Sequence, residues 1–327
     1  MANPDRPDAR PQVEVLGPLG TEEVRAVAVL VESATEVDGV RPLSEHVMLH
    51  LRYGGDAPVR NVLVYLNGQL AAYGHLDVTD EVAGASAEVV VHPEHRGAGL
   101  GRLLVQTTLD ETPDGRLRLW AHGDHPAAGA LARSMGFSES RALWQMRRSL
   151  FAALPAASLR EGVTLRTFRP GEDDAAWVRL NAQVFRDHPE QGAWTAEDLH
   201  RRMAEPWFDP EGFFLAEHEH RLVGYHWTKV HGGDHDHQHD ATGGHTHDGH
   251  GHAPIGEVYV VGVDPSQVGT GLGKALTIVG LQHLRQLGLP DAMLYVDADN
   301  EPAIRLYTGL GFTRWETDVM FSRDLPA

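Results

Sequence analysis

The sequence predicts an α/β protein built from two tandem copies of one unit, each a sheet with helices on its faces. Three observations predict it. A glycine-rich loop occurs twice, about 170 residues apart, each time after Val-rich strand sequence: Val89-Val90-Val91-His92-Pro93 before Arg96-Gly97-Ala98-Gly99-Leu100-Gly101, and Val260-Val261-Gly262-Val263-Asp264-Pro265 before Val268-Gly269-Thr270-Gly271-Leu272-Gly273-Lys274. Each loop is followed by the same order of helix, strand and short helix closing in Gly-Phe, at Gly136-Phe137 and Gly311-Phe312. The length of 327 residues accommodates two domains of ordinary size, each able to bury its own core. Agreement in order and spacing between two copies is far more specific than a lone glycine pattern.

Taken in order, amphipathic helical stretches open each half, at Glu22 to Ser33 and Glu45 to Leu51, then at Asp173 to Phe185 and Ala196 to Met203. A hairpin follows in each: Asn61 to Leu66 with Leu70 to Leu76, joined by the strong turn signal Asn67-Gly68, and Gly212 to Glu217 with Leu222 to Thr228. After the loops come helices at Leu103 to Leu109 and Ala275 to Leu287, strands at Leu117 to Ala121 and Met293 to Val296, and short helices at Ala127 to Gly136 and Pro302 to Gly311. The strand Trp144 to Arg148 closes the first half. The boundary falls at Leu154-Pro155, dividing residues 1–155 from 156–327.

A strand, a Pro-marked exit, a Gly-rich turn and a helix start gather free backbone N–H groups around one point, which attracts a pyrophosphate. The arrangement resembles the Gcn5-related N-acetyltransferase family, whose signature is Gln or Arg, two residues, Gly, one residue, then Gly or Ala. Arg96, Gly99 and Gly101 fit it, whereas the second copy has Val268 in the Gln/Arg position and keeps Gly271 and Gly273. The resemblance implies a mixed, mostly antiparallel sheet in each domain and acetyl-CoA as co-substrate. It further implies cofactor contacts at Val89, Val90, Val91, Gly97, Ala98, Gly99, Leu100, Gly101 and Arg102 in the first half. In the second half the implied contacts are Val261, Gly262, Val263, Val268, Gly269, Thr270, Gly271, Leu272, Gly273 and Lys274, with Asn300, Glu301, Pro302, Ala303, Ile304 and Arg305.

Composition narrows the class. A net charge of −18 argues against a nucleic-acid surface, which needs clustered Lys and Arg. The absence of cysteine excludes disulfides and thiolate catalysis. The N-terminus has no apolar core of a signal peptide, and no apolar run approaches a membrane span, so the protein is expected in the cytoplasm.

The halves differ where chemistry would be done. At an offset of 172 residues (257 − 85) Glu257 stands opposite Ala85, and alignment at Gly-Phe puts Tyr307 opposite Ala132. Both replacements remove a proton-handling group and keep the apolar scaffold, as a decayed active site would. The second domain is therefore the expected catalytic one. An amine is mostly protonated at neutral pH, so a carboxylate at Glu257 can expose its lone pair, and a backbone N–H from Val261 to Val263 can stabilise the developing oxyanion. The departing thiolate needs a proton, which a phenol of ordinary pKa near 10 can give; the family has a Tyr in the helix position of Tyr307.

A closer resemblance, to the mycothiol synthases, rests on Asp187-His188-Pro189-Glu190-Gln191, His226-Trp227-Thr228-Lys229-Val230-His231, Gly256-Glu257-Val258-Tyr259 and Leu294-Tyr295-Val296-Asp297, and in the first half on Asp38-Gly39-Val40 and Ser44-Glu45-His46. It implies transfer of acetyl to the cysteinyl amine of a cysteinyl glucosaminyl inositol. Glu257 then matches the general base and Tyr307 the general acid, with Glu45, Glu190, Lys229, Glu257 and Tyr295 as substrate contacts. The expected partner is this small-molecule thiol precursor, with no nucleic acid and no membrane, bound by a monomer. Two alternatives stay open: another small amine or a peptide N-terminus as acceptor, and a non-catalytic acetyl-CoA- or metal-binding regulator.

Residues 231–252 form an insertion carrying eight of the 21 histidines. Runs such as His235-Asp236-His237 offer ligand types for zinc, nickel or copper without a fixed geometry, and such a segment cannot bury a core. It is expected to be a dispensable hairpin extension, with no metal required for activity.

Overall fold

The computed structural model describes residues 10–53, 59–79, 84–186, 188–231 and 254–323, the side chains of Pro189 and Glu190 excepted. Helices and strands alternate as the repeat demands. In the first half they are β1 (Gln12–Leu16), α1 (Thr21–Asp38), α2 (Glu45–Tyr53), β2 (Val59–Leu66), β3 (Gln69–Asp77), β4 (Ala85–Val91), α3 (Leu100–Asp110), β5 (Leu117–Ala121), α4 (Pro126–Ser134) and β6 (Ser138–Ser149). The second half adds β7 (Val163–Thr167), α5 (Asp174–Val184), α6 (Pro189–Gly192), α7 (Ala196–Met203), β8 (Phe213–His218), β9 (Arg221–His231), β10 (Ile255–Val263), α8 (Leu272–Gln286), β11 (Asp291–Asp297), α9 (Glu301–Gly309) and β12 (Thr313–Arg323).

Local chemistry explains the punctuation. Asn67 and Gly68 both take positive φ, 51° and 78°, which matches the twist of the β2–β3 hairpin. Helix α1 stops at Gly39 in the left-handed region, its N–H returning to the Thr35 carbonyl. Thr195 and Asp198 form a reciprocal capping box at the start of α7. Among the described residues no helix is long and apolar enough to cross a membrane.

The chain forms two compact units, and their limits differ from a simple cut of the sequence. The first comprises Met1–Trp144, Asp297–Asp299 and Glu316–Ala327; the second comprises Gln145–Val296 and Asn300–Trp315. The segment around Leu154-Pro155, expected as the boundary, lies between β6 and β7 and carries neither helix nor strand. The last strand of the chain returns to the first unit.

In that unit the strand order is β1-β2-β3-β4-β5-β12. Its ladders are antiparallel except for β4–β5, which is parallel, and the C-terminal strand pairs antiparallel to β5 from Val319↔Ala121 to Arg323↔Leu117. Val319 and Phe321 join Val105, Leu109, Leu117, Leu119 and Phe137 in one buried apolar cluster. Burying these two side chains of the last strand stabilises the first unit by roughly 3–6 kcal/mol, at about 1.5–3 kcal/mol per large apolar side chain.

The second unit orders its strands β7-β8-β9-β10-β11-β6, with β10–β11 its parallel pair. Its core is aromatic: Trp177, Phe213, Tyr225 and Trp227 are fully buried, with Phe213 and Trp227 stacked at 4.5 Å between ring centres.

Candidate active site

In each unit the parallel pair of strands separates along its length and opens a wedge, and the point of separation differs. The β4–β5 ladder stays closed from Ala85↔Leu117 to Glu88↔Trp120. The β10–β11 ladder holds only Gly256↔Ala292 and Glu257↔Met293. Since Glu88 aligns with Val260 (88 + 172), the second wedge opens earlier, directly beside Glu257. A bulge between Val258 and Val260 also re-aims β10 against β9. The β3–β4 register runs without such a shift.

Glu257 is 6% exposed and lies opposite Lys229 across the β9–β10 ladder. His231 Nε2 meets its Oε2 at 2.6 Å. Lys229 is 8% exposed, and its ammonium stands 4.5 Å from the centre of the Trp207 ring and 5.4 Å from that of Tyr259. Aromatic faces suit a cation taken from water. On α9, Tyr307 is half-buried with its ring 5.9 Å from Phe312. Burial pushes its phenol up from the ordinary value near 10 to about 12, so it is a weaker acid than the sequence suggests. The Tyr295 hydroxyl accepts a bond from Gln145 Nε2 at 2.9 Å. Glu45 opens α2 in the first unit, and the Glu190 side chain lies outside the described residues.

Both loops have the backbone of an anion cradle. Gly97 and Gly99 take φ of 74° and 88°, Gly269 and Gly271 take 83° and 84°, and the second glycine of each pair caps the following helix. Ala98, Thr270 and Lys274 lie on these turns or the first turn of the helix, while Leu100 and Leu272 are buried. Val268 is 73% exposed, so its side chain lies in solvent. Arg96 is engaged elsewhere: its guanidinium donates to both oxygens of Asp38 at 2.7 Å, and its Nε donates to the Val91 carbonyl at 3.1 Å. It ties the loop to the end of α1.

Other expected cofactor residues have structural duties. A Cβ at position 262 would stand 2.4 Å from the Tyr225 ring, so Gly262 answers to packing. Asn300 caps α9 by accepting from Ala303 N–H at 3.1 Å, and Arg305 pairs with Glu301 at 2.9 Å on the exposed face of that helix.

The first unit's wedge is a groove of about 420 Å³, lined by Val89, Val90, Val91, Gly97, Gly99, Gly101 and Arg102, by Asp38 and Val40 of the stretch that carries the closer resemblance, and by residues that the sequence did not single out: Trp120, His122, His125 and Leu131. At its side is a buried charge cluster. His122 Nδ1 lies 3.1 Å from Asp318 and its Nε2 lies 3.5 Å from Glu88, whose carboxylate also accepts from the Ser44 N–H. Burial opposes the charge on His122, yet the Asp318 and Glu88 carboxylates outweigh it and hold its pKa up at about 10. Burial likewise works against the Glu88 carboxylate, but His122 and Ser44 prevail and keep it below the usual range. Asp318 belongs to the last strand, far from His122 in sequence, so only spacing in the fold reveals the cluster.

Known proteins resemble this chain in sequence and in fold. The pattern of the Acetyltransferase (GNAT) family matches residues 177–312, and that of an Acetyltransferase (GNAT) domain matches residues 58–139. The chain named mycothiol acetyltransferase from Acidothermus cellulolyticus is 58% identical over 315 residues, covering 95% of this chain and 94% of its own. Its namesake from Streptosporangium roseum is 54% identical over 349 residues, covering 95% and 99%. Among solved structures, a GCN5-related N-acetyltransferase from Sphaerobacter thermophilus is 26% identical with a TM-score of 0.65, covering 97% of this chain and 96% of its own. A tandem GNAT protein from the clavulanic acid biosynthesis pathway, at 17% identity and a TM-score of 0.70 over 97% of this chain and 100% of its own, shares the fold.

Proposed function

Because the chain belongs to the mycothiol acetyltransferase family, a tandem branch of the GNAT acetyltransferases, we propose that its second unit carries the chemistry, with Glu257 as general base and Tyr307 as general acid. The chain is an acetyl-CoA-dependent N-acetyltransferase, and its acceptor is the cysteinyl amine of the cysteinyl glucosaminyl inositol, which becomes mycothiol. The observation that carries the assignment to the second unit is the early opening of the β10–β11 wedge beside a buried Glu257, where the first unit has Ala85 and a closed ladder.

Acetyl-CoA supplies the thioester. Glu257 removes one proton from the substrate ammonium, and the exposed lone pair forms the N–C bond at the thioester carbonyl while the C–S bond breaks. Tyr307 gives its proton to the sulfur, and the second proton lost from nitrogen restores the phenol, leaving one proton released per turnover. A phenol near 12 is poorly matched to a thiol of about 8.5 in water, and desolvation of the departing thiolate, which would raise its own proton affinity, is proposed to narrow that gap. Lys229, Tyr295, Glu45 and Glu190 are proposed to contact the polyhydroxylated acceptor. Use of acetyl-CoA supports a cytoplasmic location, and the chain is proposed to act as a monomer.

Glu257→Gln tests the base. Turnover should fall by roughly two to four orders of magnitude with little change in acetyl-CoA affinity, the range for loss of general base catalysis. The deficit should shrink at high pH, where the amine sheds its proton unaided. A loss confined to KM and independent of pH would make Glu257 a binding residue.

A further inference from the structure

The structure points to His231 as a positioning residue for the reaction, one that holds the Glu257 carboxylate and decides which oxygen meets the amine. This inference rests on the reading of Glu257 as the base. His231 is the last residue of β9 and lies opposite Ile255, two residues before Glu257 on β10, while Lys229 lies opposite Glu257 itself. Directly opposed and i,i+2 residues share a face, so His231, Lys229 and Glu257 stand on one side of the sheet, with His231 on the diagonal from Glu257. A diagonal of about 7–8 Å between backbones is within reach of two long side chains. They close it at 2.6 Å between Nε2 and Oε2.

The bond has a direction. An ionised carboxylate only accepts, so Nε2 carries the hydrogen and donates. With Oε2 occupied, Oε1 is the oxygen that receives the ammonium proton. A carboxylate almost wholly buried would otherwise turn about its last torsion and weaken its aim at the amine. The two partners differ in surroundings: the Glu257 side chain is 8% exposed and that of His231 is 34% exposed. The imidazole thus lies at the margin of the site, holding the base from its outer side. Lys229 has a different setting, its ammonium placed over the Trp207 and Tyr259 rings.

The alternative is a purely structural role in which His231 offsets the burial of Glu257 and has no effect on rate. The two are separated by the full-length variants His231→Phe, which keeps the ring and removes the donor, and His231→Gln, whose amide N–H₂ can donate from a similar distance. A charge-assisted hydrogen bond contributes about 1.5–3 kcal/mol, which converts to a loss of roughly ten- to a hundredfold in kcat for His231→Phe, with KM for acetyl-CoA unchanged. His231→Gln should recover most of it. The decisive measurement is the double variant: if His231 acts through Glu257, then His231→Phe adds no further loss in a Glu257→Gln background, because the group it positions is gone.

Each outcome decides something. A normal kcat for His231→Phe beside a crippled Glu257→Gln overturns the role of His231 and leaves the base intact. Full multiplicative loss in the double variant, or failure of His231→Gln to recover activity from a folded protein, overturns it as well. Normal turnover in Glu257→Gln removes the base assignment and the inference with it. Circular dichroism and acetyl-CoA titration of each variant identify any that does not fold.

Discussion

Replacing Asp318 by Asn perturbs the first unit at one charge, and the structure sets the size and pH dependence of the effect. Asp318 accepts from the Gly123 N–H at 2.9 Å and faces His122 Nδ1 at 3.1 Å. The Asn oxygen can keep the Gly123 bond, but the charge opposite a buried imidazolium is lost and only Glu88 remains to balance it. Breaking a buried pair by removing one partner costs about 3–5 kcal/mol, and the surviving Glu88 and Gly123 contacts place this case near 2–4 kcal/mol. The folded pKa of His122, about 10, lies above its unfolded value of 6.5. Its contribution to stability is therefore fully present below pH 6.5 and is lost as pH rises through about 10. Urea unfolding of the full chain should show the variant's deficit at its largest near pH 6 and mostly gone above pH 10, with NMR titration of His122 giving a lower pKa in the variant. An equal deficit at both pH values would refute the charged imidazole.

Other outcomes follow from the same structure. Calorimetric titration of the full chain should find two acetyl-CoA per chain, with one site surviving Gly271→Val, a substitution strained at φ of 84°; a single site in the unaltered chain would remove the cradle role of the first unit. The full chain is required because the first unit includes Glu316–Ala327 and a fragment of residues 1–155 lacks that strand. Tyr307→Phe should lower kcat by roughly a hundredfold or more with acetyl-CoA affinity kept, and an unchanged kcat would remove the acid from Tyr307. Deleting Gly232 to Gly251, which lies outside the described residues, should leave turnover within a few-fold; a loss of about a hundredfold, with the intact chain dependent on added zinc or nickel, would make the His-rich segment part of the site.

The sequence by itself determined the two-unit plan, both anion-binding turns and the preference for the second unit. These are local properties: a positive-φ glycine before a helix, a period of two in Val-rich runs, and the presence of Glu257 and Tyr307 where the first half has Ala85 and Ala132. Even the spans of α7 and β5 were legible, from an amphipathic stretch at Ala196 to Met203 and a short apolar run at Leu117 to Ala121. Tertiary structure alone decided where β12 goes, how far each parallel ladder stays closed, and which partners Arg96, His122 and Glu257 take. Pairing register and long-range ion pairs depend on which strands meet, and no periodicity within a segment encodes its neighbour. His231 shows the limit most clearly: in sequence it begins a histidine-rich insertion, and in the fold the β9–β10 register sets it on the face that carries Glu257.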